Sequence, residues 1–559
     1  MPESAQPRTR RARLLDALTA RLLRMPPGRV SSSVTRAVPI PMRDGVVLLA
    51  DIYTPEHALG TLLIRTPYGR SGTITHLTAR YYASHGYRVV NQSCRGTSGS
   101  GGVFQPFSQE IDDGADTVAW LRDQEWFGGR FAAVGASYLG WAVWALLMNP
   151  PPELATAVIS IAALDNYRVA HGKAAFSLET TLGLFDGFAG VLKHGAGLAF
   201  YLSALTAGRR LQHGFNELPL VSAQETVLAG SRLPYREWLT TPDPADPLWR
   251  PMQLGPALDR VEVPVLLQDG WQDLFPDHMI DAYAHLHRRG VDVALTVGPW
   301  THVDVVTKGA GVIMEETLDW LGEHFAGTGP RHRPTPVRIF VTGAQEWRYL
   351  AEWPPPTEDR VLYLQPDDGL DEAQPASDAS PSTFIYDPAN PTPGIGGQLI
   401  NPARGGYRDN RKIEERADVL TFTTQLLSEA LEVIGLPVVE LVHATDNPHA
   451  DLFVRICEVQ KSGRSINVSD GFRRLKPPEA NGIVRLALEA MAHRFMPGTR
   501  IRLQVSGGSH PRYARNLGTD QDPASSTEFA PSRRTIYHGD GGFSRLVLPS
   551  PSTGRRQDG

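Results

Sequence analysis

The chain has 559 residues, 41% hydrophobic and 21% charged, with a net charge of −5. At about 150 residues per domain this suggests three or four domains, and the charge balance supplies no overall basic field for nucleic acid. Two cysteines, Cys94 and Cys457, exclude a disulfide framework and a Cys-rich metal site, and no apolar run is long enough for a membrane-spanning helix.

The N-terminus carries Arg8, Arg10, Arg11 and Arg13, followed by Leu14, Leu15, Leu18 and Leu22 on one face of a basic amphipathic helix. Asp16, Arg21 and Arg24 interrupt it, so it does not read as a signal peptide, and a cytoplasmic location is expected. A helix docked on the body or frayed is favoured over one lying on a membrane surface.

Residues 35–53 read as a hairpin and 61–66 as a buried strand ending in Pro67-Tyr68-Gly69-Arg70. A helix follows over 75–84, a strand over 87–91, a Gly/Ser-rich loop to Gly102 and a helix over 110–124. Phe131-Ala132-Ala133-Val134 is the next strand, then the turn Gly135-Ala136-Ser137-Tyr138-Leu139-Gly140 and an apolar helix; one more strand covers 154–162. Strands alternating with helices predict a mainly parallel, doubly wound sheet. From 166 to 250 the pattern becomes helical and uneven, as expected of an inserted cap. Sheet periodicity resumes with strands at Val263 and Asp292 and helices over 278–288 and 312–325. Beyond a polar, Pro-rich linker at 327–336, strand-length runs starting with VRIFVTG predict an all-β sandwich, most simply a jelly roll. The expected division is a basic extension (1–34), the sheet domain in two parts (35–165 and 251–328), the cap (166–250), the sandwich (329–550) and a tail (551–559).

A serine on a tight strand-to-helix bend has an exposed hydroxyl and sits at the positive end of a helix dipole. Ser137 occupies such a bend, in G-x-S-x-x-G rather than G-x-S-x-G because Leu139 stands where the second glycine usually lies. A hydrolase on this sheet needs a carboxylate and then a histidine, each just past a later strand. Asp273, in Gly270-Trp271-Gln272-Asp273, and His302, in Gly298-Pro299-Trp300-Thr301-His302, fill those slots. Asp269 is the competing carboxylate, and helix N-capping is the alternative role for Asp273. His278, His285 and His287 are assigned to a helix surface. The backbone N–H of Tyr138 is one candidate oxyanion donor and the Tyr68 hydroxyl the other, the alternative for Tyr68 being a rim aromatic. Trp271 and Trp300 are either walls of a substrate pocket or core aromatics beside the catalytic residues.

Together these motifs resemble the cocaine esterase and X-Pro dipeptidyl-peptidase (CocE/NonD-type) family of α/β-hydrolases. The resemblance extends over residues 35–550, through Arg65-Thr66-Pro67-Tyr68, the Arg95-Gly96 loop, the Ser137 turn, GWxD and GPWxH. It continues in Asp246-Pro247-Leu248-Trp249, Tyr386-Asp387-Pro388, Gly396-Gly397 and His510-Pro511-Arg512-Tyr513-Ala514-Arg515-Asn516. It implies Ser137 as acyl-enzyme nucleophile, Asp273 and His302 as its partners and the Tyr68 hydroxyl in the oxyanion hole. It also implies an α/β hydrolase with helical cap and C-terminal jelly roll. One departure is Ser93, where the family often has an aspartate two places before Arg95.

The expected function is a serine hydrolase of carboxylic esters, without metal or organic cofactor, acting on a small-molecule ester or short peptide. Nucleic acid is not expected as a partner, and homo-oligomerisation stays open. An X-Pro dipeptidyl-peptidase, an amino-acid ester or amide acyl hydrolase and a non-catalytic binding protein are the alternatives.

Overall fold

The structure is a computed structural model that describes residues 3–7, 18–195, 198–329, 333–539 and 541–552. Its organising layer is an 11-stranded sheet of β1 (Glu3–Pro7), β2 (Ser32–Pro41), β3 (Val47–Pro55), β4 (Gly60–Thr66), β5 (Tyr87–Ser93), β6 (Phe131–Ala136), β7 (Leu154–Ser160), β8 (Val265–Gln272), β9 (Val293–Thr301), β10 (Val337–Val341) and β11 (Glu346–Leu350). The spatial order is β1-β2-β3-β5-β4-β6-β7-β8-β9-β10-β11. From β5 through β10 every neighbouring pair is parallel, whereas both flanks are antiparallel. The central strands are buried on both faces, as sheets with helices on each side require; β8, for example, is buried along its whole length. Helices α1 (Thr73–Ser84), α2 (Glu110–Arg122), α3 (Tyr138–Leu146), α4 (Pro276–Arg288) and α5 (Ala310–Leu321) cover it.

The chain leaves β4 for β5 on one side and returns to place β6 on the other, so the connections diverge between β4 and β6. In open α/β sheets ligands occupy the crevice at such a reversal, past the carboxyl ends of the strands. Tyr68 follows β4 and Ser137 follows β6.

The cap is built from helices at Asn166–His171, Leu178–His194, Leu198–Asn216, Ala223–Thr226 and Tyr235–Thr240. Its core of Phe185, Phe188, Trp238 and Trp249 merges with that of the sheet domain. Glu179 of the cap accepts hydrogen bonds from the Ile400 and Asn401 N–H groups, tying it to the C-terminal part.

The C-terminal part has a 7-stranded and a 4-stranded sheet, both antiparallel, with a smaller 2-stranded one. Leu362, Phe384 and Leu441 of the first meet Phe422, Ile456 and Leu503 of the second in one core, the arrangement of a β-sandwich. One strand expected there belongs elsewhere. The VRIFVTG run is β10, paired in parallel with β9 and in antiparallel with β11. Its alternating burial suits either sheet, so local pattern does not decide which one it joins.

Two N-terminal expectations also change. Glu3–Pro7 is a strand against β2. Leu14 and Leu15 lie outside the described residues, while Leu18 and Leu22, on a helical turn, face outward with 60% and 83% exposure. Ala20 and Met25 face the body instead. Apolar side chains outside a core are common because polar surface is limited.

Candidate active site

Ser137 sits between β6 and α3 at φ 58°, ψ −125°. That conformation is strained for a residue with a side chain. It is held by the Ser137 N–H donating to the Ser160 carbonyl at 2.9 Å and by Trp141 N–H donating to the Ser137 carbonyl at 2.9 Å. The bend closes so tightly that a Cβ on Gly135 would lie 2.2 Å from the Leu139 carbonyl carbon, which is why glycine stands there. Nearly all of α3 is buried, as its all-round apolar sequence requires.

His302 follows β9 and Asp273 follows β8. His302 Nε2 lies 3.0 Å from Ser137 Oγ, and His302 Nδ1 lies 2.6 Å from Asp273 Oδ1. Three side chains far apart in sequence therefore form one hydrogen-bonded chain. Asp273 is fully buried, and its Oδ2 accepts the Phe275 N–H at 2.8 Å. Phe275 also sets its ring edge-on to the His302 imidazole at 5.6 Å. The α4 helix starts at Pro276 with Phe275 as N-cap, so Asp273 is not its cap. Sequence alone did not single out Phe275; its place two residues past the carboxylate, where a turn N–H points back, is the signal.

Asp269, the competitor, is also fully buried but does not reach the imidazole; its Oδ1 accepts the Gly270 N–H at 2.6 Å. Burial, and then the charge of nearby Asp273, hold its carboxyl well above the usual carboxylate range. That environment favours the protonated form of Asp269, beside the carboxylate that engages His302.

Burial pushes the Tyr68 phenol up to about 12, outweighing the opposite pull of the nearby Ser137 hydroxyl, so it keeps its proton. Its ring stacks on Phe188 of the cap at 6.3 Å. Tyr138 places its backbone N–H at the first turn of α3, whereas its side chain turns away: the hydroxyl accepts the Phe107 N–H and donates to Glu110 Oε1, both at 2.9 Å. Glu110 in turn pairs at 2.7 Å with Arg65, and both are almost fully buried. The arginine just before Tyr68 is thus linked through Glu110 to the residue just after Ser137. Nearby, Ser93 Oγ accepts the Arg70 N–H at 3.0 Å, and Arg95 pairs with Asp113 and Asp44, both at 2.6 Å.

A cavity of about 1080 Å³ opens at Ser137, Tyr68 and His302. Trp271 and Trp300 do not line it. The Trp271 indole donates to the Phe340 carbonyl at 2.8 Å and packs on Trp353. Trp300 packs on Trp347 behind Ile161, Val305 and Ile313, which do line the cavity. Of the three α4 histidines, His287 is exposed and His285 pairs with Asp259 at 2.8 Å. His278, expected at the surface, is buried, and desolvation pushes its imidazole down to about 3.

The GWxD motif also touches the sandwich: Gln272 donates to the Val468 carbonyl at 3.1 Å and accepts from Asn467 at 3.3 Å. The Arg512 of the HPRYARN motif pairs with Asp470 at 2.8 Å within the sandwich.

Residues 44–304 match the X-Pro dipeptidyl-peptidase (S15 family) profile, and residues 331–547 match that of the X-Pro dipeptidyl-peptidase C-terminal non-catalytic domain. The chain is 29% identical over 571 residues to the cocaine esterase of Rhodococcus sp. (strain MB1 Bresler), covering 92% of this chain and 98% of that protein. Among solved structures it is similar to an aminopeptidase from the marine sediment archaeon Thaumarchaeota archaeon, with TM-score 0.77, 23% identity and coverage of 93% and 96% of the two chains. An α-amino acid ester hydrolase superposes with TM-score 0.77 and 23% identity, covering 92% and 96%. The last two share its fold.

Proposed function

The chain belongs to the family of serine hydrolases that includes cocaine esterase and X-Pro dipeptidyl-peptidase, and from that premise we propose that it cleaves carboxylic esters through an acyl-enzyme on Ser137. The observation that carries this reading is the chain of contacts from Ser137 Oγ to His302 Nε2 and from His302 Nδ1 to Asp273 Oδ1.

In this mechanism Ser137 Oγ attacks the ester carbonyl as His302 Nε2 takes its proton. Asp273 fixes the imidazole tautomer and stabilises the imidazolium. The oxyanion is held by the Tyr68 hydroxyl and the Tyr138 N–H, the latter at a helix N-terminus where partial positive charge is concentrated. Collapse of the tetrahedral intermediate breaks the carbonyl–alkoxy bond, and the proton on His302 leaves with the alcohol. Water then attacks the acyl-enzyme, giving its proton to His302, and Ser137 recovers that proton as the acid departs.

An ester is favoured over an X-Pro peptide because of the cavity's chemistry. Among the described residues lining it, none is an Asp or Glu that would anchor a substrate ammonium. The C-terminal jelly-roll reading rests on two antiparallel sheets sharing one core. The test is turnover of p-nitrophenyl acyl esters beside Ala-Pro-p-nitroanilide. Faster ester cleavage, lost in Ser137→Ala, is expected; faster anilide cleavage would transfer the reading to a peptidase.

A further inference from the structure

The cavity at Ser137 is much deeper than a short acyl group needs. Its volume of about 1080 Å³ lies just above the about 300–1,000 Å³ of ordinary small-molecule sites. From Ser137 it runs along one face of the sheet, over Ile64, Val134 and Val158, between α1 and α5. Leu77 of α1 and Met314 of α5 line its two sides. The N-terminal segment 19–31 forms a further wall, with Ala20, Leu23 and Met25 turned toward the space. That segment is fastened on both sides. The Arg29 and Val30 N–H groups donate to the Ser84 carbonyl at 2.9 Å, at the end of α1. Against α5 the approach is so close that a Cβ on Gly311 would lie 2.6 Å from the Arg24 carbonyl oxygen. The near mouth is flanked by Val303 and Val306, which are 37% and 40% exposed.

A mostly apolar space that begins at a nucleophile and passes between two helices, with Arg21, Arg24, Arg29 and Arg80 among its lining, accepts one kind of group well. We propose that it is a channel for a long unbranched aliphatic chain of the ester, with the N-terminal segment as one of its walls. This rests on the ester-hydrolase reading above and deepens it by naming the substrate class. The chain belongs to either the acyl or the alcohol side, since both start at the same carbonyl. The driving force is removal of methylene groups from water, which is proportional to the apolar area buried.

The test uses the full chain and two substrate series. In one the acyl group lengthens, from p-nitrophenyl acetate through octanoate to palmitate; in the other the alcohol lengthens, from ethyl to hexadecyl acetate. Labelling of Ser137 by a short-chain fluorophosphonate is read independently. One series should show kcat/KM rising by up to about fourfold for each methylene that enters the channel. Ala20→Trp, which fills space beside the N-terminal wall, should lower the long-to-short ratio at least about tenfold. Thr78→Trp, from the α1 wall, should do the same, and the melting curve of each variant shows whether it is folded. The parental profile decides the matter if neither variant folds. Short chains preferred in both series, with Ser137 labelled, would overturn the channel and leave the hydrolase reading standing. Absence of both labelling and turnover would overturn the hydrolase reading and the channel with it.

Discussion

Tyr68→Phe removes one oxygen and little else. The Tyr68 ring keeps its stacking against Phe188, so the fold should tolerate the change. What is lost is a neutral donor near Ser137, whose phenol burial pushes up to about 12. At an assay pH of about 8 it is protonated in nearly every molecule and donates to developing negative charge without a competing ionised form. Removal of one such donor costs about 10²–10³ in rate, or about 2.7–4 kcal/mol of transition-state stabilisation. Because the charge exists only in the tetrahedral state, the loss should fall on acylation and leave ground-state binding nearly unchanged. Stopped-flow release of p-nitrophenol in the first turnover separates the two. An acylation rate within about threefold of the parent would remove Tyr68 from the oxyanion site. A loss confined to substrate affinity would make it a binding residue only.

Asp273→Asn should lower kcat by about 10⁴, because an amide opposite Nδ1 favours the wrong imidazole tautomer; retention of a tenth of the parent activity in steady-state assays would assign orientation of His302 to another group. Asp269→Asn should behave quite differently. With its carboxyl held well above the usual range, the folded chain keeps a proton that the unfolded chain loses above about pH 4, so stability falls as pH rises, by up to about 1.4 kcal/mol per unit until the folded group titrates. The amide removes that slope. Urea midpoints measured between pH 5 and 8 should flatten in the variant, and an unchanged slope would show that Asp269 ionises normally. Gly135→Ala drives a methyl into the Leu139 backbone at 2.2 Å and should cost at least about 1–3 kcal/mol of stability by thermal melting; a parental melting temperature would mean that the bend relaxes freely.

The meeting of Ser137, Asp273 and His302 was largely legible in the sequence because each lies at a strand end. Strand runs are recognisable locally, and Ser137, Asp273 and His302 each follow one, in the chain order such sheets require. What escaped depends on which surfaces meet. His278 lies on the same stripe of α4 as Ala282, Tyr283 and Leu286, and all four are buried. The helix is visible in the sequence, but which of its faces meets the sheet is not, so His278 is grouped there with the surface residues His285 and His287. β10 has the alternation of a sandwich strand, and only pairing with β9 assigns it to the large sheet. Trp271 and Trp300 sit within motifs of the site, yet strand alternation turns their side chains into the core behind it. The channel is the least legible feature: one wall comes from segment 19–31 and its sides from helices more than two hundred residues apart, so no local pattern announces it.

Intact-mass and peptide mass spectrometry after exposure of the folded protein to a fluorophosphonate ask most directly whether Ser137 is a nucleophile activated by His302. One adduct per chain is predicted, located on Ser137, absent in Ser137→Ala and formed at least about a hundredfold more slowly in His302→Ala. An unlabelled folded chain, or an adduct on another residue with Ser137 untouched, would contradict the account.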